Sequence, residues 1–199
     1  LALQRILLVL AVRLNGHANG AGNVDITRFL STNETIWTCK TTTRSPLPCK
    51  LDDNITISRE NVSFQRDYLD KARLWKRDDL VGQLGIWYPG DKTKGAPYDY
   101  MILWKKDGRY YNTEIVHYQG ENDGCAVFAI LTTKRNQVAF DYELRAKDSS
   151  LSTLPTSECM KEYRNVTKGM LSRTTYFRQC RNYLGERRLW FHPLLNHKS

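Results

Sequence analysis

The sequence has few of the side chains and motifs on which enzymes and metal proteins depend. It holds four histidines, of which only His117 lies in the central part of the chain. It contains no Cys-x-x-Cys pair, no paired-histidine motif and no glycine-rich phosphate loop. A lone histidine without a nucleophile motif beside it is more often structural than catalytic. We therefore expect no enzyme activity, no metal site and no cofactor.

Long hydrophobic segments are also missing beyond the first residues. No later stretch approaches the ~20 apolar residues that a bilayer-spanning helix needs. No Pro-, Gly- or Ser-rich linker and no internal repeat divides the chain. The sequence therefore predicts a single domain over residues 23–180, followed by a basic tail over residues 181–199.

The first 22 residues have the pattern of a signal peptide. An apolar run at 6–12 follows Arg5, and small residues at 18–22 offer a cleavage site. We predict that residues 1–22 are a signal peptide, truncated because no methionine precedes Leu1, and that the protein is secreted. The alternative is an N-terminal hydrophobic helix of a cytosolic protein, which the small residues after the run disfavour.

Four N-x-S/T sequons support export, because this motif is the acceptor for N-glycosylation on secreted chains. They begin at Asn33, Asn54, Asn61 and Asn165. Each motif alone is weak, but four together favour a glycoprotein.

Five cysteines occur in the chain, at Cys39, Cys49, Cys125, Cys159 and Cys180. Disulfides persist in the extracellular environment that the leader and sequons indicate. An odd number therefore favours two disulfides and one free thiol.

The formal net charge of +9 is concentrated at one end of the chain. Residues 23–160 carry 19 basic and 19 acidic side chains, whereas residues 161–199 carry nine basic and two acidic ones. A basic end binds acidic surfaces such as glycosaminoglycans. The absence of any run of five Lys or Arg favours a solvated helix face instead, and nucleic acid is not expected as a partner.

Short β-branched and aromatic runs separated by turn residues predict an all-β domain. Eight such runs occur, at residues 36–39, 54–59, 62–69, 80–87, 98–105, 109–118, 125–132 and 138–145. The turn at 106–109 is the clearest hairpin signal, with Gly108 available for positive φ. Eight strands at this spacing favour an up-and-down barrel with room for one small ligand.

Two helices flank the predicted strands. Residues 23–33 are compatible with a short helix capped by Asp25. After the last strand, Cys159, Met160, Tyr163 and Val166 fall at helical spacing, which predicts a helix with its apolar stripe against the barrel wall.

The order of these features resembles the tick salivary lipocalins, the histamine-binding-protein family. Cys125 opens a strand, Glu143 and Leu144 lie on the outgoing strand, a helix starts at Cys159, and Cys180 closes the domain. The resemblance implies an eight-stranded antiparallel lipocalin barrel with a short N-terminal helix and a C-terminal helix packed on the wall.

The same resemblance implies a cysteine pairing. Cys49 would pair with Cys180 and Cys125 with Cys159, which leaves Cys39 as the free thiol. If Cys39 faces inward it is a buried and inert thiol, whereas an outward Cys39 could link two copies of the chain.

Two departures from the family pattern bear on the ligand. Amine-binding members have an acid directly after the cysteine that matches Cys125, and an aromatic residue after Glu-Leu, but Ala126 and Arg145 occupy these positions. A buried amine needs a paired carboxylate and aromatic faces. The resemblance therefore implies a Japanin-type member that binds a sterol such as cholesterol, a fatty acid or a leukotriene, and that modulates host immune or inflammatory responses. A histamine- or serotonin-scavenging protein is the alternative, and an immunomodulator that binds a host protein or a glycosaminoglycan is a third.

The candidate ligand-binding residues come from matching strands to this pattern. If Ala126 faces inward, strand alternation also turns Phe128 and Ile130 inward, and the matching strand turns Glu143 inward. For each aromatic residue, plain core packing is the alternative. By the same matching, Arg145 lies on the side of Glu143, Tyr111 falls near a family aromatic after the turn, and Trp37 falls near an inward position of the first strand. The predicted set is Trp37, Tyr111, Phe128, Ile130, Glu143 and Arg145.

Overall fold

The computed structural model describes residues 24–87, 97–134 and 137–191, and the predicted signal peptide lies outside them. Eight long strands form the body of the protein, close to where the β-branched and aromatic runs predicted them. They are β1 (Ile36–Thr41), β2 (Leu51–Ser58), β3 (Asn61–Leu69), β4 (Trp75–Gly85), β5 (Tyr100–Lys105), β6 (Tyr110–Gln119), β7 (Cys125–Lys134) and β8 (Gln137–Lys147).

Each strand pairs antiparallel with the next, and β1 closes the sheet into a barrel. β1 pairs with β8 on one side, where Thr38 lies opposite Arg145, and with β2 on the other, where Trp37 lies opposite Leu51. Closure leaves no free edge among the eight strands. The predicted eight-stranded antiparallel barrel is therefore confirmed.

The turn predicted at 106–109 joins β5 to β6. Gly108 adopts a φ of +84°, and its N–H donates to the carbonyl of Lys105 at 2.8 Å. Glycine has no Cβ, so it takes this left-handed conformation without a steric penalty. The loops β1–β2, β3–β4 and β5–β6 all lie at this end of the barrel, which is called the open end below.

A short helix, α1 (Ile26–Leu30), closes the opposite end. The carboxylate of Asp25 caps it by accepting from the backbone N–H of Thr27 at 2.9 Å, as the sequence predicted. Ile26, Phe29 and Leu30 are buried in the barrel interior. The backbone N–H of Asp25 also donates to Gln119 at the end of β6, which ties the helix to the barrel.

Strand alternation divides the apolar side chains into an inner and an outer cluster. The inner cluster fills the barrel and includes Phe64, Met101 and Phe128. The outer cluster lies between the barrel wall and the C-terminal segments, and Trp37 and Leu144 belong to it.

Helix α2 (Glu158–Val166) covers part of the outer cluster, as its helical spacing predicted. The Ser157 hydroxyl caps it by accepting from the Met160 N–H at 3.2 Å. Cys159 and Tyr163 point into the cluster, and a disulfide from Cys159 to Cys125 fixes the helix to β7.

The segment after α2 is held to the barrel wall. A short strand, β9 (Arg173–Thr174), adds to β1, and helix α3 (Gln179–Phe191) follows it. The second disulfide joins Cys180 to Cys49, and the Trp75 indole N–H donates to the Tyr183 carbonyl at 2.9 Å. The first part of the predicted tail therefore forms a docked helix, and residues 192–199 lie outside the described residues.

The predicted cysteine pairing is confirmed, with Cys39 as the free thiol. Trp37 lies on the outer face of β1, where its ring packs against Tyr176 and its indole N–H donates to Asp148 at 2.8 Å. The inward position expected for Trp37 is thus wrong, because the side chains of β1 that enter the barrel are those of Ile36 and Thr38.

The Cys39 thiol is buried, and burial raises its pKa to about 12. Thiolate is the reactive form of cysteine, so a buried neutral thiol reacts slowly. We expect Ellman's reagent to label no thiol of the native protein at neutral pH, and one thiol per chain after denaturation. Rapid labelling of the native protein, or a disulfide-linked dimer on a non-reducing gel, would contradict this.

Two further sequence features can be located on the fold. The four sequon asparagines, Asn33, Asn54, Asn61 and Asn165, are all exposed, as glycosylation would require. Within the described ranges, no helix is long and apolar enough to cross a membrane.

Candidate ligand site in the barrel

The barrel interior changes character along its axis. At the closed end the side chains are apolar, and the rings of Phe29 and Phe128 pack with their centroids 5.7 Å apart. Charged side chains cross the middle of the barrel. Beyond them, at the open end, lies a cavity.

The middle of the barrel holds three cations and three carboxylates, all buried, so their formal charges cancel. They are Lys50, Asp52, Arg66, Glu114, Glu143 and Arg145. We call this set the ionic network.

The guanidinium groups of Arg66 and Arg145 connect the carboxylates of the network. Arg66 donates to both oxygens of Asp52, at 2.7 and 2.8 Å, and to Glu114 at 2.7 Å. Arg145 donates to Glu114 and, through its Nε at 2.9 Å, to Glu143. Such planar, two-sided contacts are typical of arginine.

Lys50 completes the network on the side of the cavity. Its ammonium donates to the two oxygens of Glu143 at 2.6 and 2.9 Å. Glu143 is therefore paired with two cations of the protein itself, Lys50 and Arg145. It has no unpaired charge to offer to a ligand.

The electrostatics of the network keep the carboxylates ionised. Burial alone raises the pKa of Glu143, but attraction from Lys50 and Arg145 outweighs it and lowers the pKa to about 2. In the same way Arg145 and Arg66 lower the pKa of Glu114 well below its usual range. Burial lowers the pKa of Lys50, and repulsion from Arg66 lowers it further.

Most of the network was not predicted from the sequence, although strand alternation carries a signal for it. On β3, Val62, Phe64 and Arg66 share the inward face, and on β6 Glu114 lies in phase with Val116. A charged residue in phase with buried apolar residues indicates an interior ion pair. The partners could not be paired without knowing which strands face each other.

The cavity at the open end has a volume of about 210 Å³. This is about the volume of seven water molecules, at ~30 Å³ each in the liquid. Most of its lining residues are of polar type, although apolar atoms contribute most of the lining surface. The lining residues are Thr38, Thr41, Thr43, Ser45, Leu47, Lys50, Tyr111, Asn112, Ile130, Asp141, Glu143 and Thr175.

Two lining residues carry acceptors that are incompletely satisfied. Asn112 donates through its amide nitrogen to Glu114 at 3.1 Å, and its own amide oxygen, Oδ1, is buried without a hydrogen-bond partner. The half-buried carboxylate of Asp141 accepts from the Thr42 hydroxyl at 3.2 Å and forms no ion pair with any described residue. Of the two, Asp141 is the acceptor that a ligand can reach, and a carboxylate without a counter-charge suits a ligand that donates hydrogen bonds.

The predicted site residues occupy three different places. Tyr111, Ile130 and Glu143 line the cavity. Phe128 and Arg145 lie deeper, where the Arg145 guanidinium stacks 4.4 Å from the centroid of the Phe128 ring. Trp37, as described above, belongs to the outer cluster. Burial raises the pKa of Tyr111 to about 12, so its hydroxyl is neutral at physiological pH.

His117, the histidine in the middle of the chain, does not line the cavity. Its ring lies on the outer wall, where Nε2 is 3.1 Å from a carboxylate oxygen of Glu162 on α2. In the described part of the chain, no cluster of His, Cys, Asp and Glu has the arrangement of a metal site.

No known family profile and no curated protein matches this sequence. Solved structures with a similar fold do exist. AM182 in its serotonin complex has a TM-score of 0.59 and 14% identity, over 83% of this chain and 97% of that one. Two lobster proteins are also similar. Apocrustacyanin A1 has a TM-score of 0.51 and 6% identity, over 74% of this chain and 77% of its own. H1 crustacyanin from Homarus americanus has a TM-score of 0.52 and 7% identity, over 77% of this chain and 82% of its own.

At these identities the likeness extends to the backbone only, and the narrower resemblance to the tick salivary group stays a prediction. This chain combines a closed antiparallel barrel with a short N-terminal helix and a helix on the wall. This chain has the lipocalin fold.

Proposed function

We propose that this protein is a secreted carrier that binds a small polar ligand in its barrel, and that the ligand carries a protonated amine. The observation behind the proposal is the Asp141 carboxylate, which lines the cavity and has no ion-pair partner among the described residues. The proposal involves ligand binding only and includes no catalytic step.

The charge of the cavity supports a cation. The ionic network is neutral as a set, so Asp141 contributes the uncompensated charge among the lining residues. A protonated amine would balance that charge. Exposed cations at the open end, such as Arg44 between the lining residues Thr43 and Ser45, oppose a cationic ligand, and salt screens only the charges beyond ~8 Å.

The size of the cavity separates the candidate ligands. Drug-sized molecules occupy cavities of about 300–1,000 Å³. The 210 Å³ observed here suits a smaller molecule, and a sterol or fatty acid would also have to pass the ionic network to reach the apolar closed end. The lipid predicted from the sequence therefore fits less well than the amine alternative.

Two other observations support the proposal. AM182, which shares the fold at a TM-score of 0.59, was crystallised with serotonin. The predicted signal peptide, the exposed sequons and the two disulfides are all consistent with secretion, because disulfides persist outside the cell.

The role of Asp141 can be tested by calorimetric titration with serotonin and with histamine. We expect Asp141→Asn to weaken amine binding by at least ~10-fold, because a hydrogen bond to a charged group contributes about 1.5–3 kcal/mol. Asp123→Asn, the same change in a loop at the closed end, is the control and should bind as the wild type does.

The opposite results would overturn the proposal. If Asp141→Asn binds amines as tightly as the wild type, Asp141 is not the counter-charge. If the protein binds neither amine but retains cholesterol or oleate through gel filtration, the lipid prediction is restored.

A further inference from the structure

The open end of the barrel is strongly basic. Exposed cations occur on each of its three described loops, and we call them the basic rim. They are Arg44, Lys71, Arg73, Lys76, Lys106 and Arg109. The two acidic residues among them are already engaged within their own loops. Asp107 pairs with Arg109, and Asp70 contacts Lys76 at 3.5 Å.

Four cations of the rim have no counter-charge. In the described structure, Arg44, Lys71, Arg73 and Lys106 form no ion pair with the protein. The closed end is more balanced, because the exposed acids Glu60 and Glu121 offset the exposed cations Arg28 and Arg59 there. The charge of the barrel is therefore polarised along its axis, with the positive pole at the open end.

The β3–β4 hairpin carries the most prominent part of the rim. β3 and β4 remain paired as far as Leu69 and Trp75, whereas β5 begins its pairing with β4 only at Leu80. Five residues at ~3.3 Å each place the hairpin tip about 15 Å beyond the end of β5. The tip thus projects past β5, whereas on its other side β3 remains in contact with the β1–β2 loop, where the Leu69 N–H donates to the Pro48 carbonyl at 2.9 Å.

The tip is rigid and exposes an apolar side chain between its cations. The Asp70 carboxylate accepts from the backbone N–H groups of Ala72 and Leu74 at 2.8 and 2.9 Å, which fixes the turn. The contact from Trp75 to Tyr183 braces the hairpin against α3. Leu74 itself is 52% exposed.

We propose that the basic rim is a docking surface for the anionic headgroups of a phospholipid membrane. Clustered Lys and Arg are attracted to anionic lipid, and an exposed Leu beside them can enter the boundary between headgroups and acyl chains. Leu74 is the reason for choosing a membrane over a sulfated polysaccharide, which offers no apolar phase. The association is peripheral and does not depend on the ligand in the barrel.

Sedimentation with vesicles tests this surface. The wild type should bind vesicles that contain phosphatidylserine and should not bind phosphatidylcholine alone, and the binding should weaken as salt is added. Lys71→Gln/Arg73→Gln should reduce binding roughly 25-fold, since each cation near an anionic surface contributes roughly fivefold. The control is Arg164→Gln/Lys168→Gln, which changes the same two residue types on the exposed side of α2 and the turn after it. It should bind normally.

A separate pair of variants tests the contribution of Leu74 to vesicle binding. Leu74→Ser should reduce vesicle binding severalfold at every salt concentration, whereas Leu171→Ser, which alters a 68% exposed residue elsewhere, should have no effect. Equal binding to both kinds of vesicle, or equal losses in the test and control variants, would overturn the proposal. So would retention on heparin that depends on Lys71 and Arg73 without any vesicle binding, because a sulfated polysaccharide would then be the partner.

Discussion

Replacing Cys49 and Cys180 together by alanine is expected to lower the free energy of unfolding by about 5 kcal/mol. The bridge joins residues 131 positions apart, and the chain-entropy model assigns ~4.7 kcal/mol to a loop of about 100 residues. Without it, the β1–β2 loop and helix α3 lose their covalent connection. Single domains are stable by only about 5–15 kcal/mol, so a large fraction of the stability depends on this bond.

Urea unfolding followed by tryptophan fluorescence measures the effect, and the second disulfide provides a comparison. Cys125→Ala/Cys159→Ala opens a loop with a separation of 34 residues and should cost about 4 kcal/mol, less than the longer loop. Cys39→Ala removes a buried thiol without opening a crosslink, and should cost less than either pair. If the shorter loop proved the more stabilising, loop entropy would not be the dominant cause.

The second large effect is expected from Arg145→Met, which should lower the free energy of unfolding by about 3–5 kcal/mol. Arg145 is fully buried and donates to both Glu114 and Glu143. Methionine replaces its volume but leaves these buried carboxylates with fewer cations. Removing one partner of a buried ion pair costs this much because the remaining charge is uncompensated.

Two further variants show whether burial is the reason for the large loss of stability expected from Arg145→Met. Arg28→Met breaks an ion pair with Asp123 at the surface, where the two side chains are 41% and 25% exposed, and should cost less than about 1 kcal/mol. Lys50→Met should fall between the two, because Glu143 keeps its contact with Arg145. Similar losses for Arg28→Met and Arg145→Met would contradict the role assigned to the ionic network. The Lys50 variant keeps the test possible if Arg145→Met does not fold.

The fold could be predicted because its signals are local. Alternating residues mark the strands, Gly108 marks a hairpin, Asp25 caps α1, and the spacing from Cys159 to Tyr163 marks the apolar face of α2. Each signal depends on neighbours within about one turn of helix or one pair of strands. Such patterns therefore do not depend on the rest of the chain.

The site was predicted only in part, because side chains from distant strands decide it. Alternation on β7 was sufficient to turn Phe128 and Ile130 inward. For Trp37 the expected direction was wrong, because the phase of β1 depends on its register with Leu51 of β2 and Ala146 of β8. The consequence for function is large, since a register shift of one residue reverses every side chain of a strand.

Local periodicity and the number of cysteines were enough to predict the strands, the flanking helices and the odd thiol. Which charges neutralise one another became visible only in the closed barrel. Glu143 was the carboxylate expected to meet a ligand, but Lys50 from the β1–β2 loop and Arg145, two residues along β8, compensate its charge. The incompletely satisfied acceptors belong instead to Asp141 and Asn112. Charge pairing requires atoms within a few ångströms, and only barrel closure brings residues from β2, β6 and β8 that close together.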